Sequence, residues 1–136
     1  MRKLLPILAI FGCVSVYAQK HEDPTVAIEN RYQECLAKGS NMTSCANAYY
    51  QSVDSVLTAT MQSLLNQLNG ASLISLQQDQ SLWEAKKDVY FKKIDERVEK
   101  LHKSTMQGLD DDMISTDNKA AFLKLRVAEL YRQYNG

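Results

Sequence analysis

Three cysteines, two histidines and a run of three aspartates carry the most particular chemistry in this 136-residue chain, and their spacing limits what they can do. Cys13 stands apart near the N-terminus, while Cys35 and Cys45 lie ten residues from each other. A zinc or redox site would want C-x-x-C, or histidines at ligand spacing, and neither occurs. His21 sits in a polar stretch and His102 near a predicted helix end, and the metalloprotease pattern H-E-x-x-H is absent. His21-Glu22-Asp23 is read as a solvated terminus rather than a metal site. Asp110-Asp111-Asp112 is a contiguous run of like charges, read as a solvated loop leading into a helix N-terminus; calcium chelation or contact with a partner is the functional alternative. No G-x-S-x-G, P-loop or G-x-G-x-x-G is present. No catalytic residue, metal or cofactor is therefore assigned, and the chain is not expected to be an enzyme.

Charge is the next source of chemistry. Lys86, Lys93 and Lys100 recur every seven residues, beside Lys87, Lys92, Arg97 and Lys103, and are interleaved with Glu84, Asp88, Asp95, Glu96 and Glu99. Pairs at i,i+4 on an exposed helix face account for this pattern, and a surface for anionic lipid or cell-wall polymer is the sharper alternative. Lys86 and Lys93 are accordingly candidate partner contacts, together with Asp110, Asp111 and Asp112. The formal net charge is zero, which argues against nucleic acid as a partner.

The first eighteen residues are expected to be a secretory signal peptide. Arg2 and Lys3 precede an apolar run from Leu4 to Phe11, and Val16-Tyr17-Ala18 places small residues at the −3 and −1 positions of a cleavage site. The apolar run is too short to span a bilayer, and no later segment comes close. Ile10-Phe11-Gly12-Cys13 resembles a lipobox, which would make Cys13 a lipid anchor; Phe11 is bulky for that motif, so cleavage after Ala18 is the first expectation. Removing Arg2 and Lys3 with the signal leaves 14 basic and 16 acidic side chains, a net charge of −2. The remaining cysteines, Cys35 and Cys45, would then meet an oxidising compartment and are expected to pair. The destination is periplasmic or secreted, or the envelope if Cys13 is acylated.

These residues must be positioned by helices. Ile28, Tyr32, Cys35 and Leu36 share one face of a short helix over residues 26–38, which Gly39 ends and after which Ser40 or Asn41 caps the next. Tyr49, Val53, Val56, Leu57, Thr60, Leu64 and Leu68 form one stripe over 42–68, stopped by Asn69-Gly70. Leu73, Leu76, Trp83, Tyr90, Ile94 and Leu101 follow a heptad-like seam through a third helix of about thirty residues. Gly108 and Asp110–Asp112 mark a loop, and Thr116 or Asp117 caps a last helix carrying Leu123, Val127, Leu130 and Tyr134. There is no alternating run, so the expected fold is all-α: a small antiparallel bundle of three long helices and one short N-terminal helix with one disulfide. Residues 19–24 are expected to be a flexible N-terminus and 25–136 a single domain.

Polar residues on the seams sharpen this picture. Gln80 and Lys87 share a seam with Leu73 and Ile94, and Asp54 sits beside Val53 on the preceding helix. A buried charge needs a partner, so Asp54 is expected to face Lys87 or Gln80, with a solvent-edge position for both as the alternative.

The ordered set Met42-x-x-Cys45, Tyr49, Asp54-x-x-Leu57, Leu76-x-x-x-Gln80-x-x-Trp83-x-x-x-Lys87-Asp88 and Arg126-x-x-x-Leu130 resembles the LprI-like lysozyme-inhibitor domain over about residues 32–132. The resemblance implies that Asp54, Leu57, Gln80, Trp83, Lys87, Asp88, Arg126 and Leu130 are signature positions with a structural role. Thr58 stands where the family has Asn, and Lys87 where it has Arg, which gives up the planar bidentate fork. Two further cysteines of many members have no counterpart, as loss of one disulfide would leave it. The resemblance implies a secreted or envelope-anchored binding protein that inhibits lysozyme-type muramidases, with lysozyme as a protein partner. A non-enzymatic adaptor or structural module for another envelope protein or cell-wall polymer is the second reading.

Overall fold

A computed structural model describes residues 23–105 and 108–134, with the backbone alone for Thr105 and for residues 108–110. The proposed signal peptide, Cys13 and residues 19–22 lie outside the described residues. The described chain forms four helices: α1 Thr25–Ala37, α2 Met42–Gln67, α3 Gly70–Thr105 and α4 Gly108–Tyr134. No strand occurs among the described residues. The all-α expectation of three long helices and one short one is therefore met.

Each boundary has a local cause. Asp23 Oδ1 accepts hydrogen bonds from the Thr25 amide at 2.9 Å and its hydroxyl at 2.7 Å, so Asp23 ties down the start of α1. Gly39, at φ +68°, takes the left-handed conformation that ends α1, and its amide reaches the Leu36 carbonyl at 3.0 Å. Asn41 is also left-handed, a conformation its short polar side chain tolerates, and its Oδ1 accepts from the Ser44 amide at 3.1 Å to cap α2.

The stapled end forms next. Cys35 and Cys45 are disulfide-bonded, with Cα atoms 5.8 Å apart, so α1 is held antiparallel against the start of α2. Tyr32 and Tyr49 stack beside the bond, with ring centroids 4.4 Å apart and planes within 3°. Lys124 pairs with Glu29, which fixes α1 against α4 as well.

α4 is the central element of the bundle. It packs along both α2 and α3, whereas the backbones of α2 and α3 stay apart beyond their junction. The core joins Val53, Leu57 and Leu64 of α2, Leu76 and Trp83 of α3, and Ala120, Leu123, Val127 and Leu130 of α4. Their spacing is the helical one expected from the sequence. Two members of the α3 seam depart from it: Tyr90 and Leu101 are exposed. α3, at 36 residues, is about 54 Å long and outreaches α2, so its far end has only α4 beside it.

The loop expected over Gly108–Asp112 is instead the first turns of α4. Carboxylates at a helix N-terminus complement the exposed amides and the helix dipole, so an acidic run there favours helix over loop. Asp111 is moreover buried against α3, which a solvated turn would not provide. Thr116 and Asp117 consequently lie inside the helix and cap nothing.

Candidate functional site

The most demanding side chain in the molecule is Arg126, buried to 1% exposure in the middle of α4. A guanidinium cannot shed its charge, so it must find acceptors. Its Nη2 donates to Asp79 Oδ2 at 2.6 Å and to Gln80 Oε1 at 3.0 Å, and its Nη1 donates to Glu129 Oε2 at 2.9 Å. Its Cζ lies 5.5 Å from the centre of the Trp83 ring. Gln80 passes the network on, donating through Nε2 to Glu84 Oε1 at 2.9 Å, and Glu84 pairs with Lys87. Gln80, Glu84 and Lys87 are spaced so that they run along one face of α3. Lys87 Nζ also lies 5.6 Å from the Trp83 ring centre.

This chain of contacts ends at a cleft of about 310 Å³ between α2 and α3. Its apolar part is Leu57, Met61, Leu65, Trp83 and Leu123. Its rim is Asp54, Thr58, Gln62, Gln80, Glu84 and Lys87. The cleft exists because α4, rather than α2, packs closely on α3, leaving a gap floored by Leu123. Asp54 and Lys87 therefore share a cleft, but the buried pair expected between them does not form: Asp54 is exposed and Lys87 pairs with Glu84 of its own helix. Both carboxylate and ammonium act instead on Tyr50, whose hydroxyl is pushed up by burial and by Asp54 and pulled back by Lys87.

The signature positions fall into two groups. Leu57, Trp83, Arg126 and Leu130 are buried, and Gln80 is half-buried as the link between Arg126 and Glu84. Asp54 and Asp88 are exposed, and Lys87 is half-buried at the cleft rim. Five of the eight, Asp54, Leu57, Gln80, Trp83 and Lys87, converge on the one cleft although they come from two helices.

The candidate partner contacts do not come together. Asp111 is buried near His102, whose Nδ1 stands 3.3 Å from Asp111 Oδ2, close enough for an ion pair on protonation but not aligned as a hydrogen bond. Asp112 is exposed, and the Asp110 side chain lies outside the described residues. Nearby, Asp95 is engaged by Ser115 and Lys119, and Glu99 by Lys103, which holds its carboxyl below the usual range. Among the described residues, no group of three or more His, Cys, Asp or Glu is placed to hold a metal ion. Lys86 and Lys93 lie elsewhere, along a shallow apolar groove with Phe122 of α4.

The sequence leaves Asp54 and Lys87 open between a buried pair and the solvent edge of the seam; Asp54 lies at that edge, and the buried charge is Arg126 instead. The signal was available: Arg126 is three residues after Leu123 and four before Leu130, on the stripe that the apolar residues define.

The fold and the site together define a small, disulfide-stapled helical protein with a buried arginine anchor and an open cleft. A family model for lysozyme inhibitor LprI matches residues 34–130, so the chain belongs to this family. That family is one of inhibitors rather than enzymes. No curated protein and no solved structure matches the chain. No helix among the described residues is long and apolar enough to cross a membrane.

Proposed function

We propose that this protein is an exported bacterial binding protein that inhibits lysozyme-type muramidases, and that it engages them through the cleft between α2 and α3. The observation that carries the reading is the family match over residues 34–130, which takes in the disulfide's second helix, the cleft and the Arg126 anchor. Export is supported by the signal-like N-terminus and by a disulfide suited to an oxidising compartment. The cleft is supported as the docking site by the five signature residues that meet there. It has an apolar floor able to take a protruding side chain, and a rim of opposite charges, Asp54 and Lys87, able to orient a polar partner. Retaining muramidases work with two carboxylates in a cleft, and a rim ammonium such as Lys87 is a suitable counter-charge for one of them.

The test is a bacteriolysis assay with purified protein. Slowed lysis at micromolar inhibitor, lost on Thr58→Arg with an unchanged melting temperature, is the expected result. Normal lysis at that concentration removes the reading and leaves the envelope adaptor, for which recovery of a specific partner from envelope extract is the discriminating measurement.

A further inference from the structure

The cationic stripe of α3 divides in two once its partners are known. Lys87, Lys92 and Lys103 are paired with Glu84, Glu96 and Glu99 on their own helix. Lys86, Lys93, Arg97 and Lys100 form no ion pair among the described residues. These four fall on one flank of α3, away from the flank that turns Gln80, Glu84 and Lys87 toward α2. From Leu82 to Lys100 the flank is about 27 Å long. No carboxylate is interleaved with the four cations along it; Glu96, at its edge, is taken by Lys92.

Between the cations stand large apolar side chains that the fold leaves uncovered. Leu82 is 65% exposed and Val89 55% exposed, and both border a groove shared with Tyr90 and Phe122. Leu125, on the same side of α4 as Phe122, is 67% exposed. Three of the four cations are lysines, whose long stems lie along apolar surface while the ammonium reaches out. Protein interfaces favour arginine and deplete lysine, whereas cations interleaved with Leu, Val and aromatic rings on a shallow helical face suit a layer of anionic headgroups over acyl chains.

We propose that the outer face of the α3–α4 hairpin is a membrane-surface site, which lies on an anionic phospholipid bilayer with Lys86, Lys93, Arg97 and Lys100 at the headgroups and Leu82, Val89 and Leu125 entering the headgroup–acyl boundary. This is independent of muramidase inhibition, and it leaves the α2–α3 cleft free on the other flank of α3.

The experiment is co-sedimentation of the purified chain, carrying Cys13→Ser so that no lipid is attached, with vesicles of phosphatidylcholine alone or mixed with phosphatidylglycerol. The protein is expected to sediment with the mixed vesicles, less so at high salt, and not with the neutral ones. Lys86→Glu/Lys93→Glu is expected to lower partitioning by on the order of thirty-fold or more, since each cation near an anionic surface contributes about a five-fold preference. Leu82→Ser/Val89→Ser is expected to weaken it at unchanged charge, and a thermal melt of each variant checks that the bundle is intact. Equal binding to both vesicle types, no binding to either, or binding unaffected by the charge reversals overturns the proposal. So does failure on vesicles combined with capture by immobilised polyglutamate that the charge reversals abolish, which would make the face a site for an acidic protein.

Discussion

Arg126 Nη2 lies 2.6 Å from Asp79 Oδ2, joining residues 47 positions apart across the α3–α4 interface. The arginine is buried to 1% exposure, while Asp79 keeps access to water. The bond therefore fixes the register of the hairpin from inside its core.

Replacing Arg126 should be the most damaging single change in α4. Arg126→Ala removes a large buried side chain and leaves Gln80 Oε1 without its donor, for an expected loss of about 3 kcal/mol. Arg126→Met keeps much of the volume, and Asp79 and Glu129 can turn to solvent, so it should cost less than alanine. Arg126→Lys cannot reach Asp79, Gln80 and Glu129 together, so it should not restore wild-type stability. Urea unfolding of the three variants ranks them; alanine no worse than methionine would overturn the anchor role.

The disulfide closes a loop with a sequence separation of 10 between Cys35 and Cys45. Loop-closure entropy for that length gives about 2.5 kcal/mol. Cys35→Ser/Cys45→Ser should lose about that much in denaturant unfolding, with most helical content kept because the larger part of the core lies in α2, α3 and α4. A loss below about 1 kcal/mol would mean that the Tyr32–Tyr49 stack and the Glu29–Lys124 pair hold α1 by themselves.

Alkaline stability should report the same end of the bundle. Burial, with Asp117 beside it, pushes the Tyr32 hydroxyl up to about 12, and burial, with Glu29 and Asp117, does the same to Tyr49. The folded state therefore keeps its protons after the unfolded chain has begun to release them. The stabilisation is complete below pH 10, the unfolded value, and declines as pH rises from 10 towards 12. Melting curves through this window should fall more steeply for wild type than for Tyr32→Phe/Tyr49→Phe, and parallel slopes would contradict the assignment.

At the start of α2, Asn41→Ala removes the side-chain cap on the Ser44 amide and should cost about 1 kcal/mol. Asn41→Gly should be milder, because residue 41 is left-handed at φ 49° and glycine takes that conformation freely. Thermal denaturation of both variants orders them; a glycine variant less stable than the alanine one would contradict this account.

The helical class, the four segments and the cysteine pairing are legible in the chain alone, because each rests on a local signal. Apolar residues repeat at helical spacing, Gly39 and Asn69-Gly70 interrupt them, and two cysteines remain once Cys13 is set apart. The helix start at Gly108 is misread because the acidic run and Gly108 resemble a turn, whereas a helix N-terminus uses the same acidic residues favourably. Tyr90 and Leu101 are misplaced because periodicity shows which residues share a face but not how far along α3 a neighbour extends.

Side-chain partnership required the tertiary structure. Asp54 and Lys87 meet the condition of polar residues near a seam, and the turn between their helices suggests that they face each other. What decides otherwise is that α4 packs between α2 and α3, so that Lys87 finds Glu84, Asp54 stays in solvent, and the buried charge is Arg126 on the intervening helix. By itself, then, the sequence determined the elements and their apolar faces, since these depend on residues within a few positions of one another. Only the tertiary structure decided the central place of α4, the cleft and the two flanks of α3, since these depend on which helices meet across long stretches of chain.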